Sequence, residues 1–333
     1  MKKNIALLTG GYSEEYQISV QTGKVIANHL DHNLYNVFLI KVEPNRWVYS
    51  DLTGKEFEVN LNGFTLDLPD GKVNFDAAFI GIHGTPGEDG KLQGYLDMMQ
   101  VKYNTSGRAT SALTFNKYFS NEFVAKLGVN VAKTYYLHQR DNINIPEILS
   151  YTGLPSFVKP NSNGSSIGIT KVKTETGLLP AIEASFKVDK EILIQEFIPG
   201  TEITCGIYEK DGEMVILPLT EIVSHNEWFD YEAKYTNGMA DEISPARIDE
   251  KLADECRGLS AMLYRKLNCR GIVRFDFILT PETFPGGRQY YFLEANTIPG
   301  LSEASIVPGQ AACAGISLQQ LFADLLNETL NRH

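Results

Sequence analysis

The sequence predicts a mixed fold, in which an N-terminal α/β domain with a doubly wound parallel sheet precedes two α+β domains. The first third of the chain alternates strand and helix patterns, and one strand pattern, residues 75–82, is almost wholly apolar. Such runs are typical of strands that are buried on both faces of a parallel sheet. From about residue 131 the pattern changes to short strands with few helices. A chain of 333 residues accommodates about two or three domains.

The N-terminal domain is predicted over residues 1–115. A strand pattern at 4–9 is interrupted by Gly10 and Gly11, and a helical pattern follows at 17–30. The remaining patterns are a strand at 35–42, the apolar strand, a helix at 91–100 and a short strand at 101–104. A long helical pattern, with apolar residues at 113, 119, 123 and 127, then leads out of the domain.

The central and C-terminal domains are predicted over residues 116–205 and 206–333. Their strand patterns cover 131–137, 155–159, 169–173, 191–198, 201–208, 214–221, 271–279 and 289–294. One helix is expected between the third and fourth of these strands. Another helix carries its apolar side chains on a single face, at Leu252, Cys256, Leu259, Leu263 and Leu267. A turn joins the last two strands, so we expect them to pair antiparallel.

The composition excludes several classes of function. The chain has 41 acidic and 30 basic side chains and a net charge of −11, which argues against a nucleic-acid surface or an anionic-membrane surface. No apolar run reaches the ~18 residues of a membrane-spanning helix. The cysteines at 205, 256, 269 and 313 have no metal-binding spacing. We therefore expect reduced core thiols in a cytoplasmic protein.

A phosphate-binding loop is one interpretation of residues 159–166, KPNSNGSS. A strand ends in Lys159, and the Gly and Ser residues that follow let backbone N–H groups approach anionic oxygens closely. The P-loop pattern GxxxxGK[ST] is absent, and an ordinary hairpin connection is the alternative. The loops at 10–15 and 83–90 follow strands at the edge where open α/β sheets bind ligands, although each by itself is typical of a tight turn.

A magnesium site is the interpretation of two neighbouring strands, RFD ending at Asp276 and EAN ending at Asn296. Arg274 and Asp276 are two residues apart and therefore face the same side of a strand. If the strands pair antiparallel, the oxygens of Asp276, Glu294 and Asn296 converge in a set that suits Mg²⁺ and phosphate. The guanidinium of Arg274 would stabilise charge on a transferring phosphoryl group. A solvated strand face with a salt bridge is the alternative, and the apolar flanking residues argue against it.

Together these segments resemble the D-alanine–D-alanine ligases of the ATP-grasp superfamily, over nearly the whole chain. The matching motifs occur in the family's order: GGYSEE, IHGTPGEDGKLQG, KPNSNGSSIG, DYEAKY, RFD, and LEANTIPGL followed by SIVP. DYEAKY, residues 230–235, is by itself typical of an exposed loop and gains meaning only in this combination. The resemblance implies an N-terminal substrate-binding domain followed by a two-part ATP-grasp fold.

The resemblance also implies the reaction. ATP phosphorylates the carboxylate of one D-alanine, and the amine of a second D-alanine attacks the resulting acyl phosphate. D-alanyl-D-alanine, ADP and phosphate are released, and the dipeptide supplies bacterial peptidoglycan synthesis. The reaction needs Mg²⁺, with Mn²⁺ as its substitute, and two ions are expected. Relatives are commonly dimers, so a homodimer is expected, although no surface pattern in the sequence shows a dimer face.

The site residues carry over from the family position by position. The resemblance assigns catalytic roles to a hydrogen-bonded trio, Glu15, Ser165 and Tyr235, and to two groups that stabilise the tetrahedral oxyanion, Arg274 and Gly300. It assigns substrate contacts to Glu15, which binds the first ammonium group, and to His83, Ser305 and Ile306. ATP contacts fall on Lys117, Lys159, the adenine hinge Gln195, Glu196, Phe197 and Ile198, the ribose-binding Glu202, and Lys234. The metal ligands are Asp276, Glu294 and Asn296.

The chain departs from the family at Gln17, where Glu is usual, at Gln195, where many members carry Glu, and at Ala304, where some relatives have a larger side chain. Gln195 puts only the nucleotide affinity in question, since an amide can still bond the adenine edge. A D-alanine–D-lactate ligase is the nearest alternative, and Tyr235 argues against it because that subfamily usually carries Phe there. Another carboxylate–amine ligase is a further alternative. A non-catalytic ATP-binding sensor would be marked by loss of the metal ligands or of Arg274.

Overall fold

The computed structural model describes residues 2–162, 164, 168–224 and 240–332. The N-terminal sheet has eight strands: β1 (Lys3–Gly10), β2 (Tyr35–Val42), β3 (Trp47–Ser50), β4 (Glu56–Asn60), β5 (Thr65–Leu68), β6 (Gly71–Asn74), β7 (Ala77–Ile80) and β8 (Lys102–Tyr103). Their spatial order is β6-β5-β4-β3-β2-β1-β7-β8. Helices α1 (Tyr16–His29), α2 (Lys91–Met98) and α3 (Arg108–Phe115) belong to the same part of the chain.

Half of this sheet is parallel, as predicted, and half is not. Strands β2, β1, β7 and β8 pair in parallel, and β1 and β7 are buried along almost their whole length. Strands β3 to β6 extend the sheet antiparallel, which the sequence analysis did not predict. In β4, for example, Val59 is buried between exposed neighbours. Short strands with one solvated face lack the continuous apolar run that marks a strand buried on both faces.

The central sheet is antiparallel and small. Its strands are β10 (Thr134–His138), β11 (Ser156–Pro160), β12 (Thr170–Val172) and β13 (Glu191–Glu196), in the order β10-β13-β11-β12. Helices α5 (Ile145–Thr152) and α6 (Glu175–Ser185) cover one face of it. Ile148, Leu178 and Ile182 from these helices are fully buried against the sheet residues Val158 and Ile194.

The C-terminal sheet carries most of the predicted site. Its strands are β9 (Asn130–Val131), β14 (Thr201–Lys210), β15 (Glu213–Ile216), β16 (Thr220–Ser224), β17 (Ala240–Ile243), β18 (Val273–Leu279) and β19 (Tyr290–Asn296). The order is β17-β16-β14-β18-β19-β9, with β15 added to β14. Helix α7 (Glu250–Lys266) packs on this sheet through the predicted apolar face, with Leu252, Cys256 and Leu263 buried. Helices α8 (Ile306–Cys313) and α9 (Leu318–Asn331) follow.

Three predicted elements are wrong because each is in fact two. The predicted strand at 131–137 divides between β9 in the C-terminal sheet and β10 in the central sheet. The strand predicted at 214–221 breaks around Pro218, which has no backbone N–H for a sheet. The long helical pattern is α3 and then α4 (Lys117–Lys126), and the Oδ1 of Asn116 between them accepts a hydrogen bond from the Phe119 N–H, which caps α4.

The cysteines largely match the sequence prediction. Cys205, Cys256 and Cys269 are buried free thiols, and burial raises the pKa of each. Cys313 is exposed, so its prediction as a core thiol is wrong. It lies at the last residue of α8, which turns this side chain away from the core. Of the helices in the described ranges, none combines the length and the apolar character needed to cross a membrane.

The N-terminal and C-terminal sheets are joined by close backbone contact. Gly271, just before β18, has a φ of +64°, and a Cβ there would overlap the backbone carbonyl of Asn104. The side chain of Asn104 in turn accepts a hydrogen bond from the Ile80 N–H in β7. Helix α9 adds an apolar contact, because Phe322 and Leu325 share a core with Ile5 of β1. Gly271 is therefore required by both its backbone conformation and the space around it.

Gly271→Ala should destabilise the protein substantially. The positive φ costs a residue with a Cβ about 1–2 kcal/mol, and displacing the Asn104 carbonyl should add about 1–3 kcal/mol. Gly315→Ala is a matched control, because Gly315 has a φ of +75° and nothing within 4 Å of its Cβ position. Urea unfolding should show a larger loss of stability for Gly271→Ala than for Gly315→Ala. Equal losses would show that the contact with Asn104 does not constrain the fold.

Candidate active site

A cavity of about 350 Å³ lies between the N-terminal sheet, α4 and the C-terminal sheet. This volume is in the range of small-molecule sites. Nine of the predicted site residues line it: Glu15, His83, Lys117, Arg274, Glu294, Asn296, Gly300, Ser305 and Ile306. The fold thus brings into one cavity residues that are up to 291 positions apart in the sequence, since Glu15 and Ile306 both line it.

The most buried ion pair of the site joins Arg274 to Asp276. The Arg274 Nε and Nη2 each donate a hydrogen bond of 2.8 Å to a different oxygen of the Asp276 carboxylate. The exposed fractions of the two side chains are 14% and 2%. Burial opposes the charge of Arg274, but Asp276, Glu294 and Glu202 outweigh it and raise its pKa. Arg274 is therefore a fixed cation, and the alternative of a solvated strand face is excluded by this burial.

The predicted metal ligands lie on paired strands, as the sequence analysis expected. Strands β18 and β19 are antiparallel, with Asp276 opposite Glu294 and Arg274 opposite Asn296. The Glu294 Oε2 is 3.6 Å from the Lys117 Nζ at the start of α4. The Asn296 Oδ1 accepts a hydrogen bond from the Ile298 N–H, which holds the chain after β19 in place. Glu294 and Asn296 line the cavity, and the buried Asp276, opposite Glu294, lies on the same face of the sheet.

His83 connects α1 to the segment that contains Gly300. Its Nδ1 lies 3.2 Å from the Ile298 carbonyl oxygen, and its Nε2 lies 3.2 Å from the Thr22 Oγ1. A carbonyl oxygen only accepts, so Nδ1 carries the proton and Nε2 accepts from the threonine hydroxyl. Burial lowers the pKa of His83, which favours this neutral form. Both ring nitrogens are engaged with protein atoms, and a substrate contact for His83 stays a prediction.

Glu15 and the segment that contains Gly300 both line the cavity. Glu15 precedes α1, yet its side chain makes no capping hydrogen bond to that helix, so the carboxylate is not placed there as a cap. Gly300 touches Ser305, because a Cβ on Gly300 would be 2.6 Å from the Ser305 Oγ. The Ser305 Oγ also shares a 2.7 Å hydrogen bond with the Ser302 Oγ. Ser305 and Ile306 begin α8, so the backbone N–H groups at its start are near this part of the cavity.

Lys159 and Gln195, two of the residues predicted to bind ATP, lie next to each other in the central sheet. The Lys159 Nζ donates a 2.8 Å hydrogen bond to the Gln195 Oε1, and both side chains are buried. The Gln195 Nε2 donates to the Thr134 Oγ1. Burial, together with the charge of Lys117, lowers the pKa of Lys159 to about 8. Both ends of the Gln195 amide thus have a protein partner, and its bond to an adenine edge stays a prediction.

The other residues of the predicted nucleotide site surround this pair. The Glu196 Oε1 accepts a hydrogen bond from the Lys133 N–H, which ties β13 to the segment before β10. The ring of Phe197 lies 3.9 Å from the Lys171 Nζ, and Ile198 follows in the loop to β14. Glu202 is in β14, where it acts on Arg274 through its charge. Ser165, Lys234 and Tyr235 lie outside the described residues, so their predicted roles stay predictions.

Two carboxylates that line the cavity, Glu88 and Glu242, were not predicted from the sequence. Glu88 lies in the 83–90 loop, which the analysis singled out without naming this residue, and it lines the cavity. Burial and then the charge of Glu15 raise the pKa of Glu88 to about 8. Glu242 in β17 also lines the cavity, and burial raises its pKa while Arg274 opposes the rise. Nothing in the local sequence around Glu242 marks it, because only the pairing of β17 with β16 brings it there.

A partly parallel N-terminal sheet is followed by two mainly antiparallel sheets, and Lys117 and the buried Lys159 lie near paired carboxylates; this arrangement is that of an enzyme of the ATP-grasp class. Residues 4–106 match the family model described as D-ala D-ala ligase N-terminus, and residues 123–327 match the model described as D-ala D-ala ligase C-terminus. The chain belongs to the D-alanine–D-alanine ligase family, whose members are ATP-dependent ligases.

Similar proteins cover the chain from end to end. D-alanine–D-alanine ligase of Flavobacterium johnsoniae is 44% identical over 328 residues, which are 98% of this chain and 99% of that protein. The same enzyme of Azobacteroides pseudotrichonymphae is 42% identical over 97% of this chain and 99% of its own length. Among solved structures, D-alanyl-alanine synthetase A of Vibrio cholerae superposes with a TM-score of 0.88 at 28% identity, covering 99% of both chains. VanG D-Ala:D-Ser ligase of Enterococcus faecalis superposes with a TM-score of 0.87 at 28% identity, covering 99% of this chain and 100% of its own.

Asp276→Asn should lower stability much more than Glu294→Gln. The asparagine turns an NH₂ donor toward the guanidinium of Arg274 and leaves a buried charge without its counter-ion, which costs about 3–5 kcal/mol. The Glu294 side chain is 28% exposed and its partner Lys117 is 3.6 Å away, so its loss should cost less than about 1 kcal/mol. Chemical unfolding of both variants measures this difference. An unchanged midpoint for Asp276→Asn would contradict the structural importance of the pair.

Proposed function

We propose that the protein joins two D-alanine molecules to D-alanyl-D-alanine at the expense of ATP, releasing ADP and phosphate. The dipeptide would supply peptidoglycan synthesis. The observation that carries the proposal is the set of charges in the cavity, where Glu15, Lys117, Arg274 and Glu294 line one space and Lys117 lies 3.6 Å from Glu294. An amino acid needs an acidic partner for its ammonium group and cations for its carboxylate, and the cavity offers both.

In the first step, the carboxylate of the first D-alanine attacks the γ-phosphorus of ATP and the ADP oxygen leaves. Lys117 and Lys159 would hold the phosphate oxygens, with Lys234 as a third cation, while residues 195–198 and Glu202 would hold the adenine and the ribose. Burial of Lys159 removes competing water from its ammonium group, which strengthens its interaction with phosphate. Such a transfer depends on positioning and charge stabilisation more than on a protein nucleophile.

The donor set on β18 and β19 fits Mg²⁺. Two carboxylates and an amide oxygen are the hard oxygen ligands that this ion prefers, and a site with few protein ligands leaves room for phosphate oxygens. Asp276, Glu294 and Asn296 would hold the ion, or two ions, and Mn²⁺ could replace it. When bound, the metal neutralises charge on the phosphate groups. Both Asp276 oxygens already accept from Arg274, and each retains a second lone pair for a ligand bond.

In the second step, the amine of the second D-alanine attacks the acyl phosphate and forms a tetrahedral intermediate with a negative oxygen. Arg274 and the Gly300 N–H would stabilise that oxygen, and Ser305 with Ile306 would hold the second substrate at the start of α8. Because Arg274 is fixed by Asp276 before substrate arrives, it needs no reorganisation as the charge develops. Collapse of the intermediate expels phosphate and leaves the peptide bond. Glu15, Ser165 and Tyr235 would close the site over the first substrate.

The proposed ligase and its alternatives differ in the second substrate, the acceptor of the activated D-alanine. The experiment must therefore identify that acceptor. The purified protein with ATP, Mg²⁺ and D-alanine should release phosphate, and mass spectrometry should find D-alanyl-D-alanine in equal amount. In competition, D-alanine should exceed both D-lactate and D-serine in the product. D-serine is included because VanG, a D-Ala:D-Ser ligase, superposes on this chain. A depsipeptide or a D-Ala-D-Ser product would correct the acceptor, and ATP binding without phosphate release would support a sensor.

Three further expectations accompany this function. We expect a homodimer, in line with the family resemblance. We expect the protein in the cytoplasm, where ATP is available, and the buried free thiols agree with a reducing compartment. We also propose the functional division into a substrate-binding domain at 1–115, a central ATP-grasp domain at 116–205 and a catalytic domain at 206–333.

Gln195→Glu should keep kcat/KM for ATP high up to a higher pH than in the unchanged protein. In the unchanged protein, kcat/KM for ATP should fall as the pH rises through about 8, because Lys159 then loses its charge. A carboxylate in place of the Gln195 Oε1, 2.8 Å from the ammonium nitrogen, favours the charged form and raises the pKa of Lys159. The alkaline limb of the profile should move up by about one pH unit or more.

The exposed Gln139, one residue beyond β10, provides the control Gln139→Glu, which adds the same charge without contacting Lys159. Its pH profile for ATP should match that of the unchanged protein. If Gln195→Glu also leaves the alkaline limb where it was, Lys159 does not set ATP binding.

A further inference from the structure

Glu88 is a cavity carboxylate for which the proposed mechanism has no use. It follows the strand β7 in the 83–90 loop and lines the cavity with Glu15, Arg274 and Glu294. Its Oε1 accepts a 2.9 Å hydrogen bond from the Gly84 N–H, and this is the one hydrogen bond of its carboxylate within the described parts of the chain. A single backbone N–H satisfies only part of a carboxylate's capacity to accept hydrogen bonds.

Glu88 and Glu15 approach the same residue, Gly84. Glu88 takes the Gly84 N–H, and the Glu15 Oε2 lies 3.3 Å from the position that a Cβ of Gly84 would occupy. Gly84 has a φ of +69°, and the Ser13 Oγ lies 2.7 Å from the same Cβ position. A side chain at residue 84 would therefore crowd Ser13 and the Glu15 carboxylate. The glycine keeps the two carboxylates close to each other at one end of the cavity.

Two neighbouring carboxylates in a poorly solvated cavity repel each other, and a bound cation would stabilise them. Burial and the charges of Glu15 and Glu294 make Glu88 hold its proton up to a pKa of about 8, and Lys117 opposes this effect only weakly. Lys117 is itself 3.6 Å from Glu294, so its charge is shared with that carboxylate. A ligand that brings its own positive charge would relieve this repulsion.

The chemistry of the pair favours an ammonium group over a metal ion. In the described residues, no group of three or more His, Cys, Asp or Glu side chains is arranged to hold a metal. An ammonium group has three N–H donors and is well served by two carboxylates, whereas a metal ion held by this pair alone would take most of its oxygen ligands from water. Glu88 also interacts electrostatically with Lys117 and Glu294, which the proposed function assigns to phosphate and metal. In an α-amino acid, the ammonium and carboxylate groups are separated by a single carbon, so the ammonium site must lie close to those two residues.

We propose that Glu15 and Glu88 form one ammonium site and that both carboxylates contact the amino group of the first D-amino acid. The inference rests on the proposed function, and it assigns to Glu88 the selection of an amino acid over a hydroxy acid at the first position. A hydroxy acid brings no positive charge, so its neutral hydroxyl group would not offset the repulsion between the two carboxyl groups.

Glu88→Gln tests the site, because the glutamine keeps an acceptor for the Gly84 N–H and removes the carboxyl group that would ionise when an ammonium group binds. Binding of D-alanine and of D-lactate is measured by calorimetry on the full chain with Mg²⁺ and a non-hydrolysable ATP analogue. A charge-assisted hydrogen bond corresponds to about a 10- to 150-fold change in affinity, so D-alanine should bind weaker by that factor. D-lactate should bind unchanged or tighter. Glu14→Gln, at an exposed glutamate next to Glu15, should leave both ligands unaffected.

Each other outcome has a definite meaning. D-alanine affinity within twofold of the unchanged protein, with an unchanged unfolding midpoint, would overturn the proposal. Equal weakening of D-alanine and D-lactate would also overturn it, since Glu88 would then act only by positioning the 83–90 loop. In the double variant Glu15→Gln with Glu88→Gln, the two losses should not add, because both residues hold one group. If the unchanged protein binds D-lactate and not D-alanine, the proposed function itself fails.

Discussion

The buried pair of Arg274 and Asp276 is the interaction on which the rest of the site depends. The two side chains are adjacent on one face of β18, and two hydrogen bonds of 2.8 Å fix the plane of the guanidinium. A buried arginine without such a partner would be strongly destabilising, since its charge cannot be removed by deprotonation in the usual pH range. Because Asp276 supplies the counter-charge, the cavity can keep a permanent cation where it needs one. Glu202, Glu242 and Glu294 each interact with that cation through their charge.

The three sheets contribute different chemical groups to one cavity. The N-terminal sheet supplies carboxylates through the loops that follow β1 and β7, where Glu15 and Glu88 lie. The central sheet supplies the buried Lys159, and α4 supplies Lys117. The C-terminal sheet supplies Arg274 and the paired strands that carry Asp276, Glu294 and Asn296. No one sheet carries all of these groups, so the contacts that join the sheets, such as Gly271 against Asn104, hold the cavity together.

The sequence predicted those parts of the fold and of the site that a local pattern of residues marks. The pairing of β18 with β19 followed from a turn between two apolar strands, and the packing of α7 followed from its single apolar face. Strands β3 to β6 gave no comparable signal, because each is short and exposes one face. The division of residues 131–137 between two sheets is set by tertiary packing and leaves no mark in the local pattern. Glu88 and Glu242 were missed for a related reason, since a lone glutamate in a loop or edge strand acquires a role only from the charges that the fold places beside it.

The central claim is that Arg274, held in advance by Asp276, stabilises charge in the reaction. Arg274→Lys tests it most directly, because lysine keeps the positive charge and loses the planar pair of N–H donors. Steady-state kinetics should show kcat for dipeptide formation reduced by about 100- to 1,000-fold, with KM for ATP changed by only a few-fold. The measurement is made below the unfolding midpoint of the variant, so that only folded protein is compared. A kcat close to that of the unchanged protein would contradict the claim.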